Sequence, residues 1–181
     1  MSCEFHGEIR VDDVSEDAIR KAVYTVITEE EYDDDSIVLT ENVKYNENYM
    51  YYYCDGLDED TADIYECFFC SVTNKIAALY PNCSMYSHIC GTEMSSDAEF
   101  VYTVLLHDRH VKVLDLDYSV GMVSCPECDG GIVFWGELDF DTAYDCEECG
   151  YHFTAEEMND IISDHVNEYD IADFYKAYNI Q

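Results

Sequence analysis

The chain has 181 residues, and its 8 Lys and Arg against 41 Asp and Glu give a formal charge of −33. Nucleic acid is itself polyanionic, with one charge per about 1.7 Å of duplex axis, and is gripped by Lys and Arg, so direct binding to DNA, RNA or an anionic membrane is excluded. An acidic disordered tail is excluded too, because 48% of the residues are hydrophobic, 14% are aromatic and only 2 are Pro, a composition that buries a core.

No stretch approaches the roughly 18 consecutive apolar residues of a membrane span, and Met1-Ser2-Cys3-Glu4-Phe5-His6 lacks the basic and then apolar start of a signal segment. With 10 Cys that include two C-x-x-C pairs, the expectation is a soluble protein of a reducing cytoplasm whose cysteines bind metal. For a phage- or plasmid-encoded chain that is the cytoplasm of the host cell. The acidity is not parked in a tail. Residues 1–53 carry −10, residues 54–124 carry −9 and residues 125–181 carry −14.

In chain order, residues 4–11 alternate as a strand, and Val14, Ala18, Ile19, Ala22, Val23, Val26 and Ile27 recur at helical spacing behind Ser15, a fitting N-cap. Glu29-Glu30-Glu31-Tyr32-Asp33-Asp34-Asp35 is the densest acidic run and reads as a loop. Ile37 to Leu39 and Val43 to Cys54 read as strands, with a turn at Asn46-Glu47-Asn48 and a stop at Asp55-Gly56. A second helix is predicted from about Thr61 to Tyr80, ending before Pro81. Met85 to Thr92 reads as a strand, and Phe100 to Leu106 and Val111 to Tyr118 pair as a hairpin across His107-Asp108-Arg109-His110. The fold class is α+β: a mixed or antiparallel sheet with two helices over residues 1–120, a metal module over 121–153, and C-terminal helices over 154–181 packed on the module or the sheet.

Cys125-Pro126-Glu127-Cys128 is followed after 17 residues by Cys146-Glu147-Glu148-Cys149-Gly150. Two C-x-x-C turns at this separation can place four thiolates at the corners of a tetrahedron, the arrangement structural Zn²⁺ prefers. Over about residues 123–153 the chain resembles zinc ribbons, with Ile132 to Trp135 as the strand between the two turns; the resemblance implies one closed, structural Zn²⁺. Many ribbons bind nucleic acid, but no Lys or Arg occurs between Lys112 and Lys176, and a four-thiolate zinc centre adds a net −2. The ribbon is expected to be a scaffold that does not touch nucleic acid.

A second site at Cys67, Cys70, Cys83 and His88 or Cys90 is a weaker candidate, since the first pair falls inside a predicted helix and reads more simply as buried thiols. His107, His110, His152 and His165 form no catalytic pattern, and neither an EF-hand loop, a phosphate-binding glycine loop, G-x-S-x-G nor H-E-x-x-H is present. The expectation is a protein that is not an enzyme. Of the 17 Tyr, the group Tyr49, Tyr51, Tyr52 and Tyr53 reads first as sheet packing and second as an interface.

After the ribbon, Thr154-Ala155-Glu156-Glu157 matches a capping box, with Met158, Ile161, Ile162 and Val166 at helical spacing behind it. Asp170-Ile171-Ala172-Asp173 opens a last helix. In size and composition the chain resembles the acidic DNA-mimic inhibitors of phages and plasmids, of the antirestriction and anti-CRISPR kind. That resemblance implies a basic, nucleic-acid-binding partner whose DNA or RNA is displaced, with a homodimer compatible. The acids expected to face it are Glu29, Glu30, Glu31, Asp33, Asp34, Asp35, Asp160, Asp164, Asp170 and Asp173. An acidic adaptor without mimicry and a halophilic zinc-ribbon domain are the alternatives. Mimicry also requires the charges to concentrate on one face, or the body to be elongated or dimeric.

Overall fold

Strand β1, Cys3–Asp12, sets the plan of the molecule through its alternation: Cys3, Phe5, Gly7, Ile9 and Val11 are buried, while His6, Glu8 and Arg10 point the other way. The computed structural model describes residues 3–29, 42–93, 98–116, 122–128, 131–133, 144–146 and 148–180. Among these are four helices and a seven-stranded, wholly antiparallel sheet with two short hairpins beside it. The fold is α+β, as composition and pattern predict.

The chain runs β1, α1 (Glu16–Glu29), β2 (Lys44–Asn46), β3 (Tyr49–Leu57), α2 (Glu59–Leu79), β4 (Ser84–Glu93), β5 (Ala98–His107) and β6 (His110–Leu116). The ribbon segment contributes β7 (Met122–Ser124), β8 (Gly131–Val133), β9 (Tyr144–Asp145) and β10 (His152–Phe153). Helix α3 (Ala155–Ser163), strand β11 (Val166–Asp170) and helix α4 (Ile171–Ala177) follow. Strand order in the large sheet is β11-β6-β5-β4-β1-β3-β2.

One face of that sheet forms the main core. Phe5, Ile9, Met50, Ile89, Val104 and Val113 are buried there with Ile19 and Val26 of α1, Phe68, Phe69 and Ile76 of α2, and Ile171 and Phe174 of α4. Burying such a side chain stabilises the fold by about 1.5–3 kcal/mol. The buried hydroxyls are satisfied: Thr73 donates to the Phe69 carbonyl at 2.8 Å and lies 2.7 Å from Ser87 Oγ, which must then be the donor between them.

The opposite face carries a second, smaller core. Cys90, Val101 and Leu114 from the sheet are buried with Cys125, Cys146, Phe153 and Met158. The ribbon hairpins and α3 therefore sit across the sheet from α1, α2 and α4.

Three local details differ from the sequence expectation. Strand β3 does not stop at Asp55-Gly56 but reaches Leu57; Gly56, at φ 84°, has no partner on β1 because Glu4 pairs with Asp55 and Cys3 with Leu57. That is a β-bulge, in which a glycine takes the left-handed position and the ladder resumes. Helix α2 starts at Glu59, before Thr61, because the Asp58 side chain accepts the Thr61 N–H at 3.0 Å as N-cap. The helical spacing does not run on to Val166: residues 166–170 are strand β11, paired with β6 from Val166–Leu114 to Asp170–His110. The ladder offered by the edge of β6 outweighs a local helical pattern. The expected strand at Ile37 to Leu39, the ends of the expected strands at Tyr118 and at Trp135, and the acids Glu30, Glu31, Asp33, Asp34 and Asp35 lie outside the described residues.

Candidate metal centre and acidic surface

Each cysteine pair is held by a short hairpin. Met122–Ser124 pairs with Gly131–Val133 on one side, and Tyr144–Asp145 with His152–Phe153 on the other. At the second pair the Cys146 N–H donates to the Tyr151 carbonyl and the Gly150 N–H to the Cys146 carbonyl, both at 2.8 Å. Gly150 takes φ 74°, and open space surrounds the position of a Cβ, so glycine is required by the turn and not by crowding.

The four sulfurs meet. Cys125 Sγ lies 3.6 Å from Cys149 Sγ, Cys128 Sγ lies 3.8 Å from Cys146 Sγ, and all four are within 4.8 Å of one another. Four thiolates around one ion at the zinc–sulfur bond length of about 2.3 Å would stand about 3.8 Å apart. The donor set and spacing thus fit a metal ion. The Cys146 thiol is lowered to about 7, chiefly by the backbone N–H of Cys149 with help from that of Glu148, so it is partly ionised near neutrality. Cys125 and Cys146 are buried and Cys149 is exposed; the centre is anchored to the sheet on its inner side.

Cys67, Cys70, Cys83 and Cys90 do not assemble in this way. Cys67 is exposed, Cys70 and Cys83 belong to the main core, and Cys90 is buried on the ribbon side of the sheet. Burial pushes the Cys70 and Cys83 thiols up, to about 11 for Cys83. Neither is primed as a thiolate ligand.

The described acids among those read from the sequence as partner-facing, Glu29, Asp160, Asp164, Asp170 and Asp173, fall on both sides of the sheet. Glu29, at the end of α1, pairs with Lys75 of α2, and the Tyr175 hydroxyl of α4 donates to the Ala77 carbonyl at 2.7 Å, so α1 and α4 both meet the last turns of α2. Asp160 and Asp164 are exposed on and just after α3, on the ribbon side. Some have internal tasks. Asp170 caps α4, accepting from the N–H groups of Ala172 and Asp173 at 2.8 and 2.9 Å, and Asp173 pairs with Lys176 at 2.7 Å. A further exposed group, not singled out by the sequence reading, is Asp55, Asp58, Asp60 and Asp63 at the start of α2.

The scarce cations are largely committed. Arg20 pairs with Glu16, Lys75 with Glu29, Lys112 with Glu168 and Lys176 with Asp173. Arg10 and Lys44 lie over the rings of Tyr86 and Tyr51. Tyr49, Tyr51 and Tyr53 share the sheet face turned away from α1, α2 and α4, whereas Tyr52 is buried in the main core and stacks on Tyr65 at 4.2 Å. The packing role expected of this group is seen at Tyr52, and strand parity sets Tyr49, Tyr51 and Tyr53 on the other face. His107 is 2.8 Å from Ser84 Oγ, and His152 is 2.6 Å from Asp145, both at the surface.

No family model, curated protein or solved structure matches this chain. Among the described residues, no helix is long and apolar enough to cross a membrane.

Proposed function

We propose that this chain is a non-enzymatic binding protein, stapled by one structural Zn²⁺ at Cys125, Cys128, Cys146 and Cys149, that occupies the basic nucleic-acid-binding surface of a partner protein. Zinc is the ion named because four thiolates in a tetrahedral, closed set are its usual structural environment. The observation that carries the binding reading is a charge of −33 on a folded body in which four of the few cations are already paired to acids. What remains outward is an excess of carboxylates, and electrostatic complementarity then steers the protein to a basic partner.

The charge density decides how the surface works. An accessible area of 9986 Å² carrying −33 averages about 300 Å² per net charge, against about 110 Å² on a duplex of 1.7 Å charge spacing. With acids on both sides of the sheet, imitation of nucleic acid is confined to a local cluster such as Asp33, Asp34 and Asp35 or Asp55, Asp60 and Asp63. The resemblance to acidic DNA-mimic inhibitors belongs to this proposal. Its test is a partner captured from the native cell: nucleic acid and this protein must exclude each other on it, and simultaneous binding would make the chain an acidic adaptor instead.

A further inference from the structure

On the sheet face turned away from α2, strands β1 and β4 bring together side chains that are 80 residues apart in the sequence. The alternation of β1 puts His6 and Glu8 on this face, and the antiparallel register sets Glu8 opposite His88 and His6 opposite Cys90. Of these, His6 Nε2 stands out: the atom is shielded from solvent and finds no hydrogen-bond partner among the described residues, a condition that ordinarily costs free energy. Its nearest charged neighbour is Glu8 Oε2 at 3.6 Å, and the rings of His6 and His88 have centroids 5.7 Å apart. Two ligand atoms bound to one ion at about 2.0–2.2 Å stand about 3.0–3.6 Å apart, so the His6–Glu8 gap is the width of a shared ion.

The outer partners that orient such ligands are in place as well. His88 Nδ1 is hydrogen-bonded to Thr103 Oγ1 at 2.9 Å, which leaves Nε2 as the ligand atom, and the Tyr49 hydroxyl donates to Glu8 Oε2 at 2.8 Å.

We infer that His6, Glu8 and His88 form a second metal site, separate from the ribbon, for a divalent first-row transition ion. Two imidazoles and one carboxylate leave coordination positions for water, as in open rather than closed centres. Cys90 is buried in the ribbon-side cluster and is not assigned to it. Among the described residues only the ribbon cysteines have three ligand atoms all within 4.8 Å, so binding must draw the His88 ring inward. The His6 side chain is 40% exposed although its Nε2 is covered, so the group lies close to the surface.

The experiment counts metal. The full chain is loaded with Zn²⁺, desalted and analysed for zinc per chain by mass spectrometry. Wild type is expected to hold two ions, His6→Ala and Glu8→Gln one each, and Cys146→Ser one. Cobalt loading identifies the survivor: His6→Ala keeps thiolate-to-cobalt charge-transfer absorption, and Cys146→Ser keeps only weak ligand-field bands. Thr103→Val should weaken the second site by about tenfold without removing it. One ion per wild-type chain, lost in Cys146→Ser and kept in His6→Ala, overturns the inference, as do two ions that survive both His6→Ala and Glu8→Gln. One ion lost in His6→Ala but kept in Cys146→Ser supports this site and counts against the ribbon centre.

Discussion

Gly7 lies directly beneath the ring of Phe69: a Cβ built on Gly7 would stand 2.8 Å from Phe69 Cδ1. Helix α2 can settle on the centre of the sheet only because β1 carries no side chain there. Phe69 is fully buried, so the ring cannot swing aside as a surface side chain would. Gly7→Ala is expected to destabilise the protein by about 1–3 kcal/mol, the usual cost of overpacking, with no change in metal content. Urea denaturation checks it; an unchanged midpoint would mean that α2 is not seated as described.

Asp58 and Asp170 cap α2 and α4, and both carboxyls are held below the usual range, Asp58 first by the Thr61 hydroxyl and Asp170 first by the Asp173 N–H. A carboxylate depressed by folding stabilises above its unfolded value of about 3.9, and that contribution fades as pH falls through the lower folded value. Asp58→Ala and Asp170→Ala should each lower the melting temperature at neutral pH. The difference from wild type should close under strongly acidic conditions. Melting curves taken across that range would contradict the assignment if the difference persisted unchanged.

These caps show where sequence reading succeeds and where it stops. The alternation of β1, the amphipathic α1 and the hairpin at Asp108 and Arg109 were legible because local pattern and tertiary demand agree; the last turns on two positive φ values, 48° and 66°, without glycine. The cysteine centre was legible because its spacing is local. Strand β11 was not: Val166 fits a helical stripe, and only the edge of β6, some 50 residues earlier, decides its conformation. The sequence places Asp170 at the opening of the last helix, and only the backbone geometry shows that its carboxylate accepts the N–H groups of Ala172 and Asp173. The His6, Glu8 and His88 group was invisible for the reason β11 was, since register across strands brings it together.

Because Cys125 and Cys146 share a cluster with Cys90, Val101 and Leu114 of the sheet, the metal centre is expected to hold the ribbon to the fold. Binding free energy at a structural zinc site is also folding free energy. Cys146→Ser should release that zinc and lose hydrogen-exchange protection at Cys125, Tyr151 and Phe153, while β1, β4 and α2 stay protected. Protection unchanged throughout would contradict this role.

A surplus of 33 negative charges repels itself, and added salt shortens the reach of that repulsion from about 30 Å at 0.01 M to about 8 Å at 0.15 M. Stability should rise over this interval and then level off. Thermal melts in NaCl test it; a continued requirement for molar salt would point to salt adaptation rather than partner binding.

The most direct measurement is displacement. Labelled nucleic acid is bound to the partner captured from the native cell, and its fluorescence anisotropy is followed as this protein is added. The signal should fall to that of free nucleic acid near one equivalent, the midpoint should move to higher concentration as salt is raised, and reversal of Asp33, Asp34 and Asp35 or of Asp55, Asp60 and Asp63 to Lys should weaken displacement far more than any single Asp→Ala change. Anisotropy that stays at the bound value, or rises as a ternary complex forms, would contradict occupation of the nucleic-acid-binding surface.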